Sequence, residues 1–101
     1  MQVFKKRTLA EYGKEHPDAL TPLMAWYGEI KSCTAKHRAE LQQTFATADP
    51  VGRKKELTCF NIKRNDYRLI AKVQYRSQMV FIREILTHDE YTAKYVKGKK
   101  R

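Results

Sequence analysis

The strongest constraint on this chain is a change of period. Up to Phe45 the apolar residues recur at helical spacing, and from Leu57 onward they alternate. In residues 67–75 the odd positions are Tyr67, Leu69, Ala71, Val73 and Tyr75, and the even ones are Arg68, Ile70, Lys72 and Gln74. A strand with that pattern buries one face and turns a mostly basic face outward. The stretch from Phe60 to Tyr91 is therefore read as the sheet, and its polar ends as the place where chemistry collects.

Pairing can be tested on the same residues, because opposed side chains share a face. With Arg64-Asn65 as a turn, Ile62 meets Tyr67, Asn61 meets Arg68 and Phe60 meets Leu69. Asn65 suits a positive backbone angle better than Arg64. With Ser77-Gln78 as a two-residue turn, Tyr75 meets Val80, Val73 meets Ile82, Leu69 meets Leu86, Lys72 faces Arg83 and Arg68 faces Thr87. Glu84 is the misfit, since this register sets it opposite Ala71 on the core side.

The earlier half reads as helical support. Residues 1–4 can add an edge strand, and Thr8-Leu9-Ala10-Glu11 has the form of a capping box for a helix ending near Lys14 or Glu15. His16-Pro17-Asp18 interrupts it, since the residue before proline avoids helical angles. A second helix follows, with Asp18 or Thr21 as cap and Pro22 in its first turn. Its apolar stripe is Leu20, Leu23, Met24, Tyr27 and Ile30, with Trp26 at the margin. Residues 39–45 suggest a further helical turn, and residues 48–52 a loop into the basic run Arg53-Lys54-Lys55. The expected architecture is α+β: an antiparallel sheet of three to four strands, N-terminal helices on one face and a short C-terminal helix.

Charge narrows the partners. There are 21 Lys and Arg against 11 Asp and Glu, a formal net charge of +10 in 101 residues. Such an excess favours a polyanion: nucleic acid, an anionic surface or an acidic protein. No apolar run approaches the length of a membrane span, and residues 1–10 carry Lys5, Lys6 and Arg7 without an apolar segment behind them, so neither a signal peptide nor an anchor is expected. Cys33 and Cys59 are too few and too far apart for a metal knuckle or disulfide framework, and as buried free thiols they suit a reducing cytoplasm. No Walker loop, zinc site or Ser-His-Asp spacing is present, and no cofactor is expected.

Thr87-His88-Asp89-Glu90 is a second capping box, with Leu86 and Tyr91 spaced as a hydrophobic staple. Capping accounts for every member except His88, which would stand exposed at the first helical position. Metal-independent RNA cleavage needs a base for the 2′-hydroxyl, cations for the phosphorane and an acid for the 5′-oxygen. Arg68, His88 and Tyr91 are the candidates for those tasks, with Asn61, Lys63, Arg64, Lys72, Arg76 and Arg83 as candidate RNA contacts. An ordinary solvated basic surface is the plainer alternative.

Phe60-Asn61-Ile62, Asn65, Tyr67-Arg68-Leu69-Ile70, Ile82-Arg83 and Thr87-His88-Asp89-Glu90-Tyr91 resemble the two signature blocks of HigB-type toxins, within the RelE-like toxin-antitoxin ribonucleases. His16-Pro17-Asp18-Ala19, Trp26, Phe45, Ala48-Asp49 and Val51 extend the likeness over most of the chain. The resemblance implies a single RelE-like domain over residues 1–101, and residues 97–101 read by their composition as a flexible basic tail. It implies cleavage of mRNA on the translating ribosome and neutralisation by a HigA-type helix-turn-helix antitoxin. Operator DNA would be reached only through the antitoxin complex, and no membrane is involved. Arg64 departs from the family, which often has glycine there. Two rival readings are a non-catalytic RNA- or ribosome-binding module and a protein whose basic face serves chiefly to bind an acidic partner.

Overall fold

In the computed structural model, which describes residues 1–97, the chain runs β1 (Gln2–Phe4), α1 (Arg7–Glu15), α2 (Pro17–Ser32), α3 (Arg38–Thr44), β2 (Asp49–Val51), β3 (Leu57–Ile62), β4 (Tyr67–Gln74), β5 (Met79–Thr87) and α4 (His88–Tyr91), and closes with a π-helical segment, Thr92–Lys97. The expected basic tail lies, beyond Lys97, outside the described residues. The five strands form one sheet in the order β1-β5-β4-β3-β2. β1 runs parallel to β5 and the other neighbours are antiparallel. The α+β class is as expected, and the sheet has one strand more than the alternation revealed.

That extra strand is β2, read from sequence as a loop. It pairs Asp49 with Cys59 and Val51 with Leu57. Three residues centred on a proline carry no alternation, and proline is tolerated there because β2 is an edge strand.

α1 begins at Arg7, one residue before the expected cap. The Thr8 amide already donates to the Lys5 carbonyl at 2.9 Å, and Lys5 has φ 65°. The reversal out of β1 thus starts the helix, which leaves Thr8 inside the first turn without a capping role. α2 begins at Pro17, so Pro22 lies past the first turn, and neither Asp18 nor Thr21 caps. Its buried stripe is Ala19, Leu23, Trp26 and Ile30, whereas Leu20 and Met24 are exposed. Trp26 is therefore core rather than margin: its ring meets Phe60 edge-on at 5.4 Å. Both candidate stripes share Leu23 and Ile30, and burial of the large indole selects between them.

The main core lies between the helices and one sheet face. It joins Leu9, Leu23, Trp26, Ile30 and Leu41 to Phe60, Leu69, Val80 and Ile82. The β3–β4 register is the expected one, with Ile62, Asn61 and Phe60 opposite Tyr67, Arg68 and Leu69. Positive φ falls on Lys63 (50°) and Arg64 (61°), not on Asn65.

The β4–β5 register differs from expectation. Gln74 pairs with Met79 around a four-residue loop, giving Val73–Val80, Lys72–Phe81 and Ala71–Ile82. The register then shifts, giving Ile70–Glu84, Leu69–Ile85, Arg68–Leu86 and Tyr67–Thr87. Lys72 does not face Arg83, nor Arg68 Thr87. Arg83 has no ladder partner and is the extra residue of a β-bulge. This bulge removes the misfit noted above. Without it Glu84 would face the core; with it the side chain shares the outer face with Ile70 and accepts from Lys94 Nζ at 2.8 Å and from the Tyr95 hydroxyl.

The outer face is consequently not uniformly basic. Val51, Cys59 and Ile70 form a second small core there, covered by Leu57, Leu86, Tyr91 and Tyr95. The C-terminal segment packs on the side opposite α1 and α2.

Candidate active site at the β3–β4 end of the sheet

Arg68 lies on the outer face of the central strand and is 8% exposed. Its Nη1 donates to the Asn65 carbonyl at 2.8 Å and to the Tyr67 carbonyl at 3.3 Å, and its Nη2 donates to Asn65 Oδ1 at 2.7 Å. The Tyr91 ring lies against the guanidinium, 5.1 Å from Cζ to centroid. All three acceptors are neutral, and among the described residues no carboxylate lies within ion-pair distance of Arg68. A guanidinium has five N–H donors, so after these three bonds two have no partner among the described residues.

The helix that delivers Tyr91 starts as the sequence indicates. Thr87 Oγ1 accepts from the Glu90 amide at 3.2 Å, and Glu90 Oε1 accepts from the Thr87 amide at 2.8 Å. Leu86 and Tyr91 pack into the same small outer core, as a staple should. Burial, and after it the neighbouring Cys59, pushes the Tyr91 hydroxyl above the usual phenol range. Burial likewise raises the Cys59 thiol to about 11, which keeps it protonated and inert.

His88 stands at the first position of α4 with its side chain half exposed, Nδ1 3.7 Å from Asp89 Oδ1. Its amide donates to the Asp66 carbonyl at 2.9 Å, which ties the start of α4 to the β3–β4 loop. The two sequence blocks therefore meet through the backbone as well as through Arg68 and Tyr91.

The remaining candidates divide by position. Asn61 is half-buried opposite Arg68, and Arg64 is exposed at the loop tip. Lys63 is engaged elsewhere: its Nζ donates to Asp18 Oδ2 at 2.8 Å and lies 3.7 Å from Asp66 Oδ2. Lys72 is on the same face as Arg68, about 13 Å along the strand at ~3.3 Å per residue. Arg83 is exposed at the bulge, and Arg76 occupies the loop at the other end of β4. The structure thus gathers Arg68, Tyr91, His88, Asn61 and Arg64 at one end, and leaves Arg83 and Lys72 further along the sheet and Arg76 in the loop at its far end.

Two supports were not singled out from sequence. Asn65 reads from sequence as a turn residue within the first signature block, with no role assigned toward Arg68, yet both its carbonyl and its side chain hold Arg68. Its signal was the three-residue separation from Arg68 across a tight loop. Asp18 was read as a cap, yet its carboxylate accepts from Lys63 and, at 2.7 Å, from the Tyr67 hydroxyl. The Lys63 hydrogen bond, then that from Tyr67, holds Asp18 below the usual carboxylate range, and the same contacts raise Lys63 and Tyr67. His16 and Tyr12 stack at 4.2 Å and meet Tyr67 edge-on. This clamp fixes the loop that in turn fixes Arg68.

Among the described residues no group of three His, Cys, Asp or Glu side chains could hold a metal ion, and no helix is long and apolar enough to cross a membrane. Residues 19–94 match the family model described as HigB_toxin, the RelE-like toxic component of a toxin-antitoxin system. The chain is 31% identical to the mRNA interferase toxin HigB of Escherichia coli K12, over 99% of its own length and all of that protein's. The mRNA interferases HigB of Escherichia coli O157:H7 and Shigella flexneri match to the same extent. With this family match spanning both signature blocks, the chain belongs to the HigB family of RelE-like toxins.

Proposed function

We propose that this protein is an endoribonuclease toxin that cleaves mRNA without a metal ion, acting on the translating ribosome in the cytoplasm and held inactive by a HigA-type antitoxin. The observation that carries the reading is Arg68, a nearly buried guanidinium held, among the described residues, by neutral acceptors alone. An unpaired buried cation is costly in isolation and strongly favours an anion at its open donors. A phosphodiester at the mouth of the outer face answers both the charge and the fork geometry. The names of the relatives supply the substrate class.

In this reading the 2′-oxygen attacks the adjacent phosphorus while His88 accepts its proton. Arg68 stabilises the charge that builds on the non-bridging oxygens, where oriented donors act most strongly. The bond to the 5′-oxygen then breaks, and that oxygen leaves with a proton from Tyr91, whose hydroxyl is held protonated by burial. The products are a 2′,3′-cyclic phosphate and a 5′-hydroxyl. Asn61 and Arg64 flank the scissile nucleotide.

The test is brief induced expression with mapping of transcript 5′ ends, with and without a co-expressed antitoxin. New 5′-hydroxyl ends within coding regions, absent for Arg68→Ala and suppressed by the antitoxin, are expected. RNA binding and growth arrest with intact transcripts would instead make the chain a non-catalytic binding module.

A further inference from the structure

Beyond the cleavage site, the outer face carries an aromatic feature that neither the core nor the proposed chemistry uses. Phe4 of β1 and Phe81 of β5 are ladder partners, and their rings stack at 4.8 Å with only 12° between planes. Neither belongs to the cores: Val80 and Ile82 on either side of Phe81 point into the main one, so Phe81 points outward. Both rings are half-buried, each covering one face of the other. β1 is the edge strand, so the second face of Phe4 has no neighbouring strand over it.

The surroundings of this pair are cationic. Lys72 is the ladder partner of Phe81 and shares its face. Lys5 follows Phe4 directly and is exposed, and Arg83 is exposed at the bulge two residues after Phe81. The nearest acid along β5, Glu84, is already paired with Lys94 and accepts from the Tyr95 hydroxyl.

We propose that the Phe4–Phe81 stack, with Lys72 and Arg83 beside it, is a subsite that stacks a base of single-stranded RNA on the face bearing the cleavage site. It rests on the ribonuclease reading above and extends it. Aromatic faces with interleaved cations are how sheets hold single strands, because any base can stack while the cations follow the phosphates. Lys72 is four residues along β4 from Arg68, and Phe81 is one strand over, a separation of about 14 Å from ordinary strand spacings. That span corresponds to a few nucleotides of extended strand, so one RNA that skirts the C-terminal segment covering Ile70 can occupy both places. The half-covered stack also contributes to holding β1 on the sheet, as cross-strand aromatic pairs do. The test must therefore separate binding from folding.

Binding of fluorescein-labelled 2′-O-methyl oligonucleotides, which lack the attacking hydroxyl, is measured by anisotropy over a series of increasing length. For the unmodified protein, affinity should rise in a step once the oligonucleotide spans from Arg68 to Phe81. Phe81→Leu and Phe4→Leu should lose that step, a roughly 5- to 100-fold weakening for long oligonucleotides and little change for the shortest ones. Phe81→Tyr should retain it. Thermal melting identifies any variant that fails to fold, and for such a variant ultraviolet cross-linking of a 5-iodouridine oligonucleotide to the unmodified protein replaces it. Cross-links in the peptides bearing Phe4 or Phe81 support the subsite. Folded Leu variants with an unchanged length step, or cross-links only elsewhere, overturn it while leaving the ribonuclease reading intact. Absence of binding to every oligonucleotide by the unmodified protein overturns the subsite and leaves the ribonuclease reading, which is placed on the ribosome, to the transcript-mapping test.

Discussion

Arg68→Lys keeps the charge and removes the fork, so it isolates what the geometry of the site adds. The native guanidinium spreads three hydrogen bonds over two nitrogens, Nη1 to the Asn65 and Tyr67 carbonyls and Nη2 to Asn65 Oδ1. A lysine ammonium offers its donors from a single atom and cannot occupy both positions, so at least one bond is lost. Net contributions of about 1.5–3 kcal/mol per bond to a charged group set the scale of the loss in positioning. With two donors reserved for substrate also displaced, the expected fall in kcat is about 100-fold, in the range for removal of an oriented transition-state donor. Arg68→Met should fall at least as far. The fold should survive both changes, with Tm lower by about 4–8 °C per kcal/mol lost for a chain of this size. Single-turnover cleavage of a labelled mRNA held on programmed ribosomes, alongside thermal melting of the free protein, measures the two effects separately. If Arg68→Lys cleaves within about threefold of the parent, bulk charge suffices and the locked guanidinium is not what the site depends on.

Tyr91 separates ring from hydroxyl. Tyr91→Phe keeps the ring over Arg68 and should lower kcat by about 100-fold with Tm nearly unchanged, as expected for removal of a proton donor. Tyr91→Ala should also destabilise the protein by about 2 kcal/mol, because it empties part of the small outer core. A fully active Tyr91→Phe would restrict Tyr91 to bracing Arg68. The Asp18 clamp predicts a pH dependence with a definite sign. Asp18 is held below its ordinary value by Lys63 and Tyr67, so its contribution is present above the unfolded carboxylate pKa and is lost as pH falls through the lowered folded value. Lys63 and Tyr67 are raised, so their contribution is present below their unfolded values and is lost as pH rises through the raised folded ones. Melting across pH should show both limbs flattened in Asp18→Asn, and identical profiles would place the clamp's effect at zero.

How much of this was legible in the sequence depended on how local the determinant was. The β3–β4 register could be read because its loop is short and a slip by one residue would turn Phe60 and Leu69 out of the core. The β4–β5 register could not, because it depends on a bulge at Arg83 that no spacing announces. Yet the misfit of Glu84 was visible, and an acid forced toward a core is what a bulge relieves. The α2 stripe failed for a related reason: the two alternatives share Leu23 and Ile30, and the presence of Phe60 on the sheet face that α2 covers decides for Trp26. The capping box at Thr87 succeeded and the one at Thr8 failed. At Thr87 the tie from the His88 amide to the Asp66 carbonyl agrees with the capping box, whereas at Lys5 the turn out of β1 starts the helix first. The Phe4–Phe81 pair was beyond reach, since parallel pairing between chain segments so far apart leaves no periodic trace.

These separate outcomes meet on the outer face of β4, where Arg68, Ile70 and Lys72 follow one another at alternate positions. Ile70 is the apolar anchor between two cations, and it forms the outer core with the C-terminal segment through Tyr91 and Tyr95. Docking of that segment on Ile70 and placement of the Tyr91 ring over Arg68 are one event, because a single short helix does both. The bulge completes the arrangement by turning Glu84 to the same face, where it receives Lys94 and Tyr95. The acid is thereby neutralised by the segment that covers Ile70, and it does not compete with a phosphate for Arg68. An irregular strand, which weakens the ladder locally, is thus what allows one sheet face to hold both an apolar anchor and a cation that no carboxylate among the described residues pairs.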